Sequence, residues 1–237
     1  MNVNNFNTNG NEVLITTNTE FSRKVDKNLE NETFKLVIKR IIDIIGGIVG
    51  VIMLIPLTIG IYIASKILKD KGPIFYTQNR IGKNGRIFKM YKYRSMVVGA
   101  DEKLAEYLKE NEEAREEFKK YRKLKDDPRI TKIGKFIRKT SIDEFPQFIN
   151  VLKGDMSLVG PRPYILEEQK EMGSFYSNII ECKPGITGLW QVSGRNNTTF
   201  NDRLNIDMEY YYNDTIRLDM KILYKTVKQV FLKEGAM

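Results

Sequence analysis

The chain has 237 residues, with 39 Lys and Arg against 30 Asp and Glu, no histidine and one cysteine, for a net charge of +9. That length suits one core domain with appendages. The lack of histidine removes Ser/His and Cys/His nucleophile pairs and His-ligated zinc, and the lone Cys182 removes internal disulfides and CxxC pairs. Chemistry is left to carboxylates, Lys, Arg, Ser/Thr or Tyr, with room for a hard cation that prefers oxygen ligands. A reducing, cytosol-facing compartment fits this cysteine usage. The charge points to an anionic partner: nucleic acid, a phosphorylated small molecule or bilayer head groups.

Residues 1–31 are rich in Asn, Thr and Glu and carry too little apolar surface to offset ordering entropy, so a mostly disordered polar tail is expected there. The tail lacks the pattern of a secretory signal. A membrane element is expected over 32–71. From Ile44 to Ser65 no side chain is charged, and 22 such residues are about the length that spans a hydrocarbon core of roughly 30 Å. Lys39 and Arg40 precede the run and Lys66, Lys69 and Lys71 follow it, which favours both ends on the cytoplasmic side. Pro56, near the centre, predicts a bend. Flanks and proline leave two forms open, a helix that re-enters the leaflet it came from and a spanning helix with a kink.

Residues 72–237 are expected to form the cytoplasmic domain. Asn84-Gly85 between aromatic-rich arms predicts a short hairpin presenting Arg80, Lys92 and Arg94. One charged surface helix is expected from Ala100, with Leu104, Tyr107, Leu108, Phe118 and Tyr121 as its apolar stripe. Ile130, Ile133 and Ile137 mark a short helix. Phe145, Phe148, Ile149 and Leu152 mark another, ending near Gly154. "KPGITGLWQVSGRNN" is expected to be ordered loop. A last helix, about Ile216 to Leu232, is expected to gather Met220, Leu223, Tyr224, Val227 and Phe231 on one face. It suits either packing on the domain or lying in a membrane interface.

"RKTSIDEFPQF" places adjacent carboxylates, Asp143 and Glu144, at an expected helix start. Ser141 and Glu144 match a capping box, and acids in a first turn suit the helix dipole. Pro146 disturbs that arrangement, because as fifth helical residue it lacks an N–H the helix needs. A carboxylate left over there, with Arg138 and Lys139 close in sequence, suits holding a cation such as Mg2+ and attacking phosphorus. Arg162, between Pro161 and Pro163, suits two-pronged contact to phosphate oxygens.

Four blocks occur in order: "KRIIDIIGG...IP", "GPIFYTQNRIGKNGRIFKMYKYRSM", "DPRITKIGKFIRKTSIDEFPQFINVLKGDMSLVGPRPY" and "KPGITGLWQVSGRN". Together they resemble the bacterial sugar transferases, the monotopic polyprenyl-phosphate phosphoglycosyl transferases, from roughly Phe34 onward. The resemblance implies an α+β, mainly helical fold. It also implies a monotopic membrane protein with one N-terminal re-entrant membrane helix bent at Pro56, a small hairpin and amphipathic surface helices. It implies transfer of a sugar 1-phosphate from a UDP-sugar to undecaprenyl phosphate on the cytoplasmic leaflet, releasing UMP and initiating a surface glycan. In that family the dyad aspartate is the nucleophile and Mg2+ assists, which maps onto Asp143 and Glu144. Basic phosphate contacts map onto Lys92, Arg138 and Arg162, with Arg80 and Arg195 in the neighbouring blocks. Some members have Ser before the bend proline; here it is Ile55. Membrane lipids are implied partners, and the oligomeric state stays open, a homodimer among the options. The competing class is a membrane-anchored protein that holds anionic lipid without catalysis. Nucleic acid is not expected, since no recognition motif accompanies the charge.

Overall fold

A computed structural model describes residues 9–70, 72–121, 124–193 and 198–232, with side chains described from Glu32 onward except those of Lys120, Phe231 and Leu232. Two compact units are present, 1–41 and 42–237. Helix α1, Asn9–Ile67, includes residues of both and stays helical across Pro56. The polar stretch expected to lack order therefore has helical backbone from Asn9 onward, while residues 1–8 lie outside the described residues. Extending a helix that already exists needs no new nucleus, which offsets the weak apolar content. Within α1, Glu32–Ile67 is long and apolar enough to cross a membrane, with a mean hydropathy of 2.5 over its most apolar 18 residues.

In the second unit, strands β1 (Phe75–Ile81) and β2 (Ile87–Tyr93) form the expected antiparallel hairpin, with Arg80 opposite Phe88 and Tyr76 opposite Lys92. Asn84 and Gly85 both have positive φ, 57° and 76°, as the tight reversal requires. The single charged helix expected next is two, α2 (Ala100–Glu110) and α3 (Glu112–Tyr121). Asn111 breaks it by leaving helical geometry and accepting from the Ala114 amide at 2.9 Å, so it caps the second helix.

Helix α4 (Lys132–Lys139) is capped by Thr131, whose hydroxyl accepts from the Gly134 amide at 2.9 Å, and it buries Ile133 and Ile137. Helix α5 (Gln147–Lys153) follows, ending at left-handed Gly154. The buried Asn150 side chain fastens α5 to β2: its Oδ1 accepts from the Tyr91 amide at 3.0 Å and its Nδ2 donates to the Lys89 carbonyl at 2.8 Å. Helix α1 packs on the same element and on the strand that follows it. Cβ atoms built at Gly46 and Gly47 would lie 2.6 Å from Leu158 and Leu152, and one at Gly50 would overlap the Phe148 ring. Glycine is required along this seam because backbone meets side chain directly. Asp43, also buried, accepts from Ser157 Oγ at 2.9 Å and the Leu158 amide at 2.7 Å.

Strand β3 (Ser157–Val159) pairs in parallel with β4 (Gly185–Thr187), joined through the short helices α6 (Gln169–Met172) and α7 (Tyr176–Ile179). β4 and α8 (Leu189–Ser193) occupy the segment expected to be loop. Its glycines permit a strand because Gly185 and Gly160 backbones approach too closely for any side chain. Helix α9 (Phe200–Tyr212) opens with a Thr199–Asp202 capping box. Helix α10 (Ile216–Leu232) has the expected bounds, but the buried face differs from the expected stripe. Ile222 is buried, whereas Met220, Tyr224 and Val227 are exposed and the Phe231 side chain lies outside the described residues. The inward face also carries Asp219, which accepts from Tyr210 at 2.7 Å, and Thr226, 2.7 Å from Thr187 Oγ1. Partnered polar groups at core positions break the apolar period. The main core joins Phe88 and Met90 of β2 to Val151, Val159, Val192, Tyr210 and Ile222.

Candidate active site

Beside this core lies a cavity of about 540 Å³. Asp143, Glu144, Lys92, Arg138, Arg162 and Arg80 all line it, although they come from five separate stretches of chain. Arg195 lies outside the described residues. Arg94 of the hairpin turns elsewhere, pairing with Asp70 at 2.6 Å and donating to the Met96 carbonyl at 2.8 Å. Pro56 lies in α1 and is not part of the cavity wall.

The dyad sits in a 3-10 turn, Ile142–Glu144, rather than in the first turn of an α-helix. The expected capping box does not form. Ser141 is left-handed, with φ 55° and ψ 17°, and caps nothing with its side chain. Pro146 takes the position before α5, where a missing N–H costs nothing. The turn satisfies its amides with backbone carbonyls, Glu144 N to Ser141 O and Phe145 N to Ile142 O. Glu144 thereby meets Lys92 instead of closing a box with Ser141. A left-handed serine costs on the order of 1 kcal/mol, strain placed directly at the cavity wall.

Lys92 Nζ stands 3.2 Å from Glu144 Oε1. Arg138 Nε donates to Ser95 Oγ at 2.8 Å, which leaves its terminal nitrogens available near Asp143. Burial, and after it the Glu144 charge, push the Asp143 carboxyl up to about 6, while Lys92 and Arg138 pull the other way. Two adjacent carboxylates in a half-buried site hold protons more tightly than one.

A second set of cations was not visible as a set in the sequence. Arg203 of α9 and Arg162 both lie over the Trp190 ring, at 5.0 and 5.8 Å. Arg80 donates to the Pro163 carbonyl at 3.0 Å and to Gln78 at 2.6 Å. Arg80 and Arg203 are buried, and Arg80, Arg162 and Arg203 each keep a buried Nε with no hydrogen-bond partner. Burial, then the nearby Arg162 charge, lower Arg80 to about 10, so it stays charged at neutral pH. Cations crowded together with unspent donors form a surface waiting for an anion. Glu168 Oε1, 3.7 Å from Arg162, is the acid beside them.

Behind Arg162 stands Asp207, fully buried. Its Oδ2 accepts from the Arg162 amide at 3.2 Å and the Tyr164 hydroxyl at 2.7 Å, fixing the Pro161–Tyr164 loop. Burial raises its carboxyl to about 7. Arg203 and Asp207 lie four apart on α9, a spacing that places two charges on one helix face beside buried Leu204. That was the available sequence signal.

Asp143 and Glu144 offer hard oxygens beside Arg and Lys suited to phosphate, which fits Mg2+ held by one or two carboxylates and completed by water and phosphate oxygens. Among the described residues no cluster of three or more Asp, Glu or Cys is gathered, and this mode of Mg2+ binding does not require one.

The profile of the family described as bacterial sugar transferase matches residues 34–233. The chain is 50% identical over 202 residues to the galactosyl transferase CpsE of Streptococcus agalactiae, covering 85% of this chain and 44% of that one. It is 45% identical to the undecaprenyl-phosphate galactose phosphotransferase of Salmonella typhimurium, covering 90% and 44%. It is 41% identical to the exopolysaccharide production protein ExoY of Sinorhizobium fredii, covering 84% and 87%. The chain thus spans under half the length of the first two relatives and most of the third.

Proposed function

The chain belongs to the bacterial sugar transferase family, and on that premise we propose that it transfers a sugar 1-phosphate from a UDP-sugar to undecaprenyl phosphate, releasing UMP, as the first step of a surface glycan. The observation that carries this reading is one cavity in which an acidic pair, Asp143–Glu144, faces Lys92, Arg138 and three further arginines. The names of the relatives support the substrate class.

The step divides in two. The Asp143 carboxylate attacks the β-phosphorus of the donor. A bond forms from Asp143 oxygen to that phosphorus, and the bond to the bridging oxygen breaks, so UMP leaves with the electron pair. An oxygen of undecaprenyl phosphate then attacks the same phosphorus and displaces the Asp143 carboxylate, giving the lipid diphosphate sugar. Asp143 ends each cycle ionised, and no net proton is consumed when the lipid phosphate enters as its dianion. Lys92 and Arg138 balance charge beside the attacked phosphorus, and Arg80, Arg162 and Arg203 hold the remaining phosphate oxygens. Asp143 and Glu144 would hold Mg2+, whose contribution when bound is to neutralise charge on the phosphate oxygens.

The apolar part of α1 delivers the lipid acceptor. In this reading it enters and leaves by the cytoplasmic leaflet, supported by its basic flanks and Pro56. The test is a UMP-release screen across UDP-sugars, with the protein in nanodiscs containing undecaprenyl phosphate. Release with at least one donor, dependent on added Mg2+, is expected. No release with any donor would contradict the proposal.

A further inference from the structure

Pro56 removes the amide that would serve the Ile52 carbonyl, and its ring crowds that turn of α1. A membrane helix weakened at one turn needs donors from elsewhere. Two hydroxyls gather within that turn, at the Leu54 carbonyl, two residues from Ile52 and two from Pro56. Thr58 Oγ1 lies 2.7 Å and Tyr93 Oη 3.3 Å from the Leu54 carbonyl, and the two hydroxyl protons serve that carbonyl and the contact between the hydroxyls. The two hydroxyl oxygens are 2.6 Å apart. Leu54 and Tyr93 are both buried, with Tyr93 only 1% exposed. The Tyr93 ring packs with Leu54, Ile133 and Ile137 and stacks on Phe75 at 5.3 Å. Its hydroxyl is the polar tip of an otherwise apolar plug. Burial raises its pKa, in keeping with a neutral donor.

Tyr93 is also the neighbour of Lys92, at the end of β2. One strand end therefore holds the lysine that meets Glu144 and the tyrosine that meets the proline turn of the membrane helix. We propose that Tyr93, with Thr58, is a positioning residue that braces the Pro56 turn against β2 and so fixes where the membrane helix presents the lipid acceptor relative to Lys92. Ile55 contributes no hydroxyl beside Pro56; the donors come instead from Thr58, two residues later in α1, and from Tyr93 of the catalytic domain. The second half of the proposal rests on the transferase reading above, while the brace itself does not.

The test uses the full chain in nanodiscs with Tyr93→Phe, which keeps the ring, and Thr58→Val and Thr58→Ser, which remove and retain the smaller hydroxyl. Hydrogen exchange over residues 52–60 reads the brace without any substrate. Loss of one such bond predicts exchange faster by roughly five- to tenfold in Tyr93→Phe and Thr58→Val, with Thr58→Ser close to wild type. Kinetics read the consequence: KM for undecaprenyl phosphate rises several-fold, while UMP released in the first turnover, before acceptor is added, stays near wild type. Unchanged exchange in both variants overturns the brace. Faster exchange with unchanged KM for the acceptor overturns the positioning role. If wild type releases no UMP from any donor, the transferase reading fails and the exchange result still decides the brace. Should Tyr93→Phe fail to fold, the Thr58 pair carries both readouts.

Discussion

Lys92 Nζ lies 3.2 Å from Glu144 Oε1, tying the hairpin to the acidic turn across 52 residues of sequence. The pair is partly exposed, so its worth to folding is small. Its effect on Asp143 is larger, because Lys92 is one of two cations that oppose the upward push on that carboxyl. Lys92→Gln is expected to lower first-turnover UMP release by roughly 10²-fold or more. It should also move the acid limb of the pH–rate profile to higher pH. An acid limb that stays in place would separate Lys92 from Asp143.

Asp143 itself gives a pH prediction with a definite sign. In the proposed mechanism only the carboxylate attacks, so metal-free binding or labelling that needs the anion should weaken as pH falls through about 6. Stability runs the opposite way. The folded carboxyl binds its proton more tightly than the unfolded one, so its contribution is present below about pH 4 and is lost as pH rises through about 6. At pH 8 the folded state carries the full cost of the charge. Asp143→Asn should therefore abolish turnover and stabilise the metal-free protein at pH 8 by about 1–3 kcal/mol. Thermal melts at pH 4 and pH 8 check this, with the larger gain expected at pH 8.

Arg162 and Arg203 share Trp190 and leave donor nitrogens unspent. Arg162→Lys and Arg203→Lys keep the charge and lose the planar fork, so each should raise KM for the UDP-sugar roughly tenfold. Steady-state kinetics with near-normal KM in Arg203→Lys would make that arginine a packing residue.

The glycine seam predicts a packing asymmetry along α1. Gly50→Ala drives a methyl into the Phe148 ring and should destabilise by about 1–3 kcal/mol. Gly60→Ala meets nothing within 4 Å and should be neutral or slightly stabilising through helix propensity. Denaturation of the two variants in the same detergent is the comparison.

Much of this arrangement was readable from local signals. Asn84-Gly85 marked the hairpin, proline framing marked Arg162, and the uncharged run marked the long apolar helix. The clash between Ser141 and Pro146 marked Asp143 and Glu144 as special, though its resolution was not readable. A left-handed serine is chosen by what packs around the turn, not by its own propensity. Arg203 escaped because its meaning depends on Trp190 and Arg162, brought beside it only by the fold. The parallel pairing of 157–159 with 185–187 was equally hidden, since short strands rich in glycine carry no period of their own. Asn111 was a readable signal, as a capping side chain three residues before Ala114.

The most direct test of the account is a single-turnover measurement with no acceptor present. Purified protein in nanodiscs is mixed with a UDP-sugar it accepts and Mg2+, UMP is quantified, and the intact protein is weighed and digested. The account predicts UMP stoichiometric with protein, a mass increase equal to one sugar phosphate, and the modified peptide containing Asp143. UMP that appears only after undecaprenyl phosphate is added, with protein of unchanged mass throughout, would contradict it.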